Sequence, residues 1–331
     1  MKKLNESVML RGDVVLTTTT HPISKGIRAV TKSDVSHAMI YVEPYSVIDS
    51  TGDGVHSRNT QRLFYDDSCQ IHVLRYVAEL TKTELQKITD YARNNIGTEY
   101  SKTEAAKTIL GGGKASTKKL FCSRLVARAY AYAGISIVSD KDYCTPEDIL
   151  NSEKLILVDG SARYASTEEA SSWQRIPSTP EMMQSSTNFI LNGARKIERS
   201  IQSLSDIDHF LIRNPSHDLE IASLYEESGY LTLWQLEKQK NPWQYDVEIL
   251  EIKSGEDDSP RMYCEMVVGK PEEDRRRYET NLRGYQYYLS HMNLKTFRLL
   301  YELYSILVRI HDQRVKVAQD WLKMHKQEAG K

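Results

Sequence analysis

Cysteine is scarce in this chain, and no metal-binding signature accompanies it. Cys69, Cys122, Cys144 and Cys264 include no Cys-x-x-Cys pair, and no His/Cys spacing suits a zinc site, so neither metal nor cofactor is expected. Four thiols in 331 residues do not make a disulfide scaffold; reduced thiols in a cytosol are the expectation. Long apolar runs are missing too. No stretch approaches the roughly 20 apolar residues that a membrane span needs. The start, Met1-Lys2-Lys3-Leu4-Asn5-Glu6, has no apolar run after its lysines. A secretory signal is therefore not expected, which leaves a cytoplasmic location or export by a dedicated secretion system. Nor is there an excess of charge: 44 Lys and Arg against 45 Asp and Glu give no argument for nucleic acid or an anionic membrane. Phenylalanine is rare, at 5 against 20 tyrosines, and tyrosine suits helix faces and wet interfaces because its tip stays polar.

What is present reads as α+β, with strands gathered early and helices late. Gly12-Asp13-Val14-Val15-Leu16 is a buried strand after a turn, and residues 21–30 read as a short helix. His37 to Val42 and Ser46 to Thr51 are strands joined at Pro44-Tyr45, and Gly52-Asp53-Gly54 closes the second. Val55 to Arg58 offers another strand, and Gln70 to Tyr76 alternates cleanly. Thr81 and Glu84 form a capping box for a helix that Gly97 stops. A short helix is expected over residues 102–110, and Pro146 opens another behind Thr145. Leu155 to Val158 is the last strand of a domain over residues 1–160. Residues 161–186, rich in Ser, Thr, Glu and Pro, read as a surface linker. Residues 187–331 read as a mainly helical accessory or partner-binding domain. Its helices are expected over 188–204 and 218–240, and over 272–328 with a break near His291 to Asn293. A two-stranded piece is expected at 247–252 and 263–268.

The chain is organised around Cys122. Leu125, Ala129, Tyr132 and Ala133 recur at helical spacing after it, and Gly134 stops the helix. Cys122 thus falls in or just before the first turn, where unpaired N–H groups and the positive helix end favour thiolate. His37 begins an otherwise apolar strand, and Asp49 lies inside the next. With a turn near Pro44, Asp49 pairs with about residue 39 or 40, and a small shift brings it to His37. A carboxylate there holds the imidazole in one tautomer, and the imidazole serves as base and then acid toward a Cys122 nucleophile. Tyr100 and the start of the Cys122 helix, including Ser123, supply donors for an oxyanion or the substrate. His21, His56 and His72 compete for the role of base, without a carboxylate at a matching position beside His72.

These residues carry a family resemblance. Gly12 to Leu16, Ser36 to Tyr41, Val47 to Ser50, Tyr100, Phe121 to Val126 and Thr145-Pro146 together resemble the permuted papain-like amidases, the YiiX-like or YaeF-like branch of the NlpC-like cysteine hydrolase superfamily. The resemblance spans about residues 8–160. It implies a circularly permuted papain-like domain, an antiparallel sheet packed on helices, with histidine before cysteine in the chain. It also implies Cys122 as nucleophile, His37 as base, Asp49 as the third polar residue and Tyr100 beside the oxyanion. That third residue is often glutamate in this branch, and here it is the shorter aspartate. The implied activity is hydrolysis of an amide, ester or thioester in a peptide, acyl-amide or lipid-like substrate. Two alternatives use the same sequence. One is acyl transfer or lipid deacylation, as in the lecithin–retinol acyltransferase relatives. The other is a non-catalytic protein that binds a partner through residues 187–331.

Overall fold

The structure is a computed structural model that describes residues 1–18, 34–100, 120–175, 178–255, 259–269 and 271–326. The helices expected over 21–30 and 102–110 lie outside these residues, as does His21. The chain divides into two units, residues 1–191 with 195–207, and residues 192–194 with 208–331. Among the described residues no helix is long and apolar enough to cross a membrane.

The first unit is built on strands β1 (Lys2–Leu4), β2 (Val14–Thr17), β3 (His37–Glu43), β4 (Ser46–Thr51), β5 (Gly54–Asn59), β6 (Ile71–Tyr76), β7 (Leu155–Leu157) and β8 (Ala162–Tyr164). Six of them form one antiparallel sheet in the order β5-β4-β3-β2-β6-β7, while β1 pairs with β8. Helices α1 (Lys82–Asn94), α2 (Cys122–Tyr132) and α3 (Pro146–Leu150) lie between β6 and β7 in the chain. The continuous apolar runs of β2 and β3 have a direct cause: both faces of the sheet are covered. On one face Val14, Leu16, Ala38, Ile40 and Ile48 pack with Ile88 and Ala92 of α1 and Leu125, Val126 and Ala129 of α2. On the other, Val15, Met39, Tyr41, Val47 and Val73 pack with Leu4 and Met9. Each Val, Leu, Ile and Met among these contributes about 1.5–3 kcal/mol by leaving water, and each Ala less.

Local chemistry sets the element ends. The Thr81–Glu84 box closes the start of α1, and Thr145 with Asp148 closes α3 behind Pro146. Gly54 is required twice: its φ is +96°, and a Cβ there would stand 2.7 Å from the Thr98 carbonyl oxygen.

The stretch 161–186 is not the linker its composition suggests. It holds β8, helix α4 (Thr167–Arg175) and the first turns of α5 (Thr179–Ile197). Two of its serines are helix caps: Ser166 Oγ accepts from Glu169 N at 3.1 Å, and Ser178 Oγ from Glu181 N at 3.3 Å. Lys3, 3% exposed, ties α4 to β1 through Glu169 at 2.8 Å.

The second unit is helical. It holds α7 (Asp218–Glu227), α8 (Leu233–Lys240), α9 (Val247–Ser254), α10 (Ser259–Gly269), α11 (Pro271–His291) and α12 (Lys295–Lys326), preceded by α6 (Leu204–Arg213), which begins in the first unit. Gly229, at φ +76°, divides what periodicity suggests is one helix over 218–240. The two expected strands at 247–252 and 263–268 are the helices α9 and α10. Asp246 caps α9 by accepting from Glu248 N and Ile249 N, and Leu250, Cys264, Ala318 and Trp321 share a core. Tyr285 stacks on Tyr304 with centroids 5.7 Å apart, which holds α11 against α12.

Candidate active site

Two short turns build the site. Tyr45, at φ +64°, closes the β3–β4 hairpin and sets Asp49 opposite Met39. Residue 37 is then one diagonal step away on the same face. Asp49, 1% exposed, meets His37 there with Nε2 and Oδ2 2.7 Å apart. The shorter carboxylate reaches because the register brings it alongside.

The Gly52-Asp53 turn adds β5 beside β4 and places His56 opposite Asp49. His56 Nε2 stands 3.5 Å from Asp49 Oδ1. His56 Nδ1 lies 3.0 Å from the Gly54 carbonyl oxygen, an acceptor, so Nδ1 carries the proton. In the neutral ring Nε2 then turns a lone pair toward Oδ1, which is buried without a hydrogen-bond partner. Two residues further on, Arg58 Nε donates to Oδ2 at 2.9 Å. The carboxylate that meets His37 therefore also meets Arg58.

Cys122 arrives from the other direction. It is the first residue of α2 and 8% exposed, behind an extended Phe121 that gives the helix no side-chain cap. The first-turn N–H groups and the positive helix end are thus left at the sulfur. The segments leading there are tied to the sheet: Ser50 Oγ donates to the Leu120 carbonyl at 2.9 Å, Val55 N to the Thr98 carbonyl at 2.9 Å, and Tyr100 bridges Leu120.

Electrostatics couples the parts. Burial alone lowers the His37 pKa. The Cys122 charge and hydrogen bonds to Asp49 and Cys122 outweigh it, and the pKa is raised to about 10. With Nε2 on Asp49, Nδ1 is the nitrogen left for the sulfur. Burial pushes the Asp49 carboxyl up, but His37, Arg58 and His56 together hold it well below the usual carboxylate range. Burial, helped by Arg58, lowers His56 against the pull of Asp49. Tyr100 is raised by burial and by the Cys122 charge, so its phenol stays protonated and able to donate.

The remaining sequence candidates fall elsewhere. The Ser123 hydroxyl is already engaged, donating to the Cys144 carbonyl at 2.7 Å. His72 lies opposite Leu16 on β6, with β2 between it and β3. Cys144 is buried, and its thiol is pushed up to about 12. Arg58 has no place in the sequence reading. The signal was there: the Gly52-Asp53 turn sets 56 opposite 49, and alternation then puts 58 on the same face.

The comparisons agree with this half of the chain. Residues 8–166 match the family described as permuted papain-like amidase enzyme, YaeF/YiiX, C92 family. Among solved structures, the chain is similar to one described as the crystal structure of metalloprotein yiiX from Escherichia coli O157:H7. The identity is 18% and the TM-score 0.37, over 46% of this chain and 97% of that one. No curated protein matches. Residues 8–166 are a permuted papain-like amidase domain of the YaeF/YiiX family, and the chain is a cysteine hydrolase-like enzyme.

Proposed function

We propose that the chain cleaves an amide, or a related ester or thioester, through a covalent acyl-enzyme on Cys122. The observation that carries this is the place of His37, bonded to Asp49 at 2.7 Å and near enough to Cys122 for the charge there to raise its pKa. The thiolate of Cys122 attacks the acyl carbonyl carbon, and a C–S bond forms. The oxyanion takes hydrogen bonds from N–H groups at the start of α2 and from the Tyr100 phenol. The His37 imidazolium passes its proton to the leaving amine as the C–N bond breaks. Water then attacks the thioester. His37 accepts its proton, the acid leaves, and the thiolate–imidazolium pair returns. Asp49 keeps the ring in the tautomer that turns Nδ1 to sulfur.

The test is a burst experiment with p-nitrophenyl acetate. The expected result is rapid release of one nitrophenolate per chain, with acetyl found on Cys122 by mass spectrometry. Cys122→Ala, which a helix accommodates, keeps the fold and shows no burst. An undiminished burst in that variant removes the sulfur from the mechanism.

A further inference from the structure

Cys122, His37 and Asp49 carry charges of minus, plus and minus in their active form, a net negative cluster in a buried place. Arg58 completes it. Its Nε shares Asp49 Oδ2 with His37, at 2.9 and 2.7 Å respectively. The other carboxylate oxygen faces His56, which has no proton to give it while neutral. Among the described residues Arg58 is thus the donor besides His37 on this carboxylate, and the two pull on one oxygen. We propose that Arg58 is a positioning residue for the reaction: it holds Asp49 in place beneath His37, and so fixes the ring that serves the Cys122 sulfur. This rests on the reading of Cys122, His37 and Asp49 given above.

Two arguments support it. Asp49 is 1% exposed, and a buried carboxylate with a single donor is poorly compensated; a second, charged donor makes ionisation favourable. Asp49 is also shorter than glutamate, so its position depends on what fixes its free rotation. A guanidinium on the oxygen that serves the imidazole does that. The other titratable groups around this point are His56 across the β4–β5 pair, Asp53 in the turn, and Tyr65. Arg62 and Glu181 line the cavity that Arg58 borders.

That cavity makes the idea testable by rescue. Its volume is about 210 Å³, and Arg58, Phe64, Trp173 and Gln184 are among its walls. The Arg58 side chain is 34% exposed, so solutes reach the place that its removal leaves.

The experiment measures the rate at which iodoacetamide alkylates Cys122 in the full chain from pH 4 to 11, read by mass spectrometry. In the parent protein the rate rises once as the thiolate–imidazolium pair forms and again as His37 loses its proton. In Arg58→Ala a positive charge is gone, so both steps move up by about one pH unit, and at a pH on the rising limb of the first step the rate falls about tenfold. Methylguanidinium restores part of the loss. Arg58→Gln keeps bulk without charge and shifts the same way. Superimposable profiles for the parent and either folded variant overturn the proposal, and so does failure of both variants to fold, which would assign Arg58 to the fold alone. If the parent protein itself shows no preference for Cys122 over Cys69, Cys144 and Cys264, it is the underlying assignment that falls, and Arg58 with it.

Discussion

The two units bury charge for different ends. In the first, a carboxylate, two imidazoles and a guanidinium meet on adjacent strands beside a thiol at a helix start. In the second, Asp218 is also buried, at 8% exposure, but it accepts from Lys295 N at 2.6 Å and Thr296 N at 2.9 Å and so closes the start of α12. Asp208 accepts from the Tyr285 hydroxyl at 2.9 Å among packed tyrosine rings. Both units thus hold buried carboxylates with good partners. A buried acid marks chemistry only where its partner in turn touches a nucleophile.

Substitutions sharpen that contrast. The largest effect is expected from Asp49→Asn. The amide oxygen keeps the Oδ2 place, where His37 and Arg58 donate, and the NH₂ meets the His56 lone pair, so what is lost is the negative charge that favours the imidazolium. Turnover should fall roughly 10²- to 10⁴-fold with the melting temperature little changed. A loss confined to stability would make Asp49 the counterpart of Asp218.

Asp218→Ala should do the reverse. Two N–H groups at the start of α12 lose their acceptor, and the second unit should lose about 1–3 kcal/mol in denaturant unfolding. Alkylation of Cys122 should not change. A changed alkylation rate would mean that the two units are coupled in a way this contrast denies.

The smallest effect concerns pH. Burial pushes the Asp208 pKa up to about 7, above its unfolded value of 3.8. A carboxyl raised on folding binds its proton more tightly in the native state. The second unit therefore gains stability as pH falls from about 7 to 4 and loses it above 7. Asp49 has the opposite sign. Its pKa is depressed, so its contribution is present above about 4 and fades as pH falls further. Asp208→Asn should flatten the dependence between pH 4 and 7 and raise stability at pH 8 by about 1–2 kcal/mol. Unchanged pH dependence of melting in this variant would show that Asp208 is not the group responsible.

The sheet and its register were legible because β-branched runs, Pro44-Tyr45 and Gly52-Asp53 fix strand length and turn position. The capping box at Thr81 and the proline at 146 announced their helices equally well. The failures share a physical origin. Serine and proline in 161–186 signal turns and helix starts alike, and only the packing of Lys3 on Glu169 decides for helix. Short apolar runs such as Val247 to Ile252 fit strand or helix, and the cap at Asp246 settles the choice. For the proposed site, His37, Asp49 and Cys122 draw attention in the sequence because each is a reactive type in an apolar stretch. Arg58 was overlooked because an arginine on a strand edge looks like an ordinary solvated residue until its neighbour across the ladder is known.

The two tight turns at 44–45 and 52–53 have a consequence for how the site comes into being. His37, Asp49, His56 and Arg58 belong to one three-stranded meander, with all their mutual pairings between near neighbours in sequence. Such a meander closes at little entropic cost and can assemble early, before distant segments dock. The thiol is the late arrival, brought in only when its helix packs on the sheet. On the mechanism proposed above, the base, its carboxylate and the guanidinium are thus assembled by local contacts, while the sulfur joins them through a long-range one.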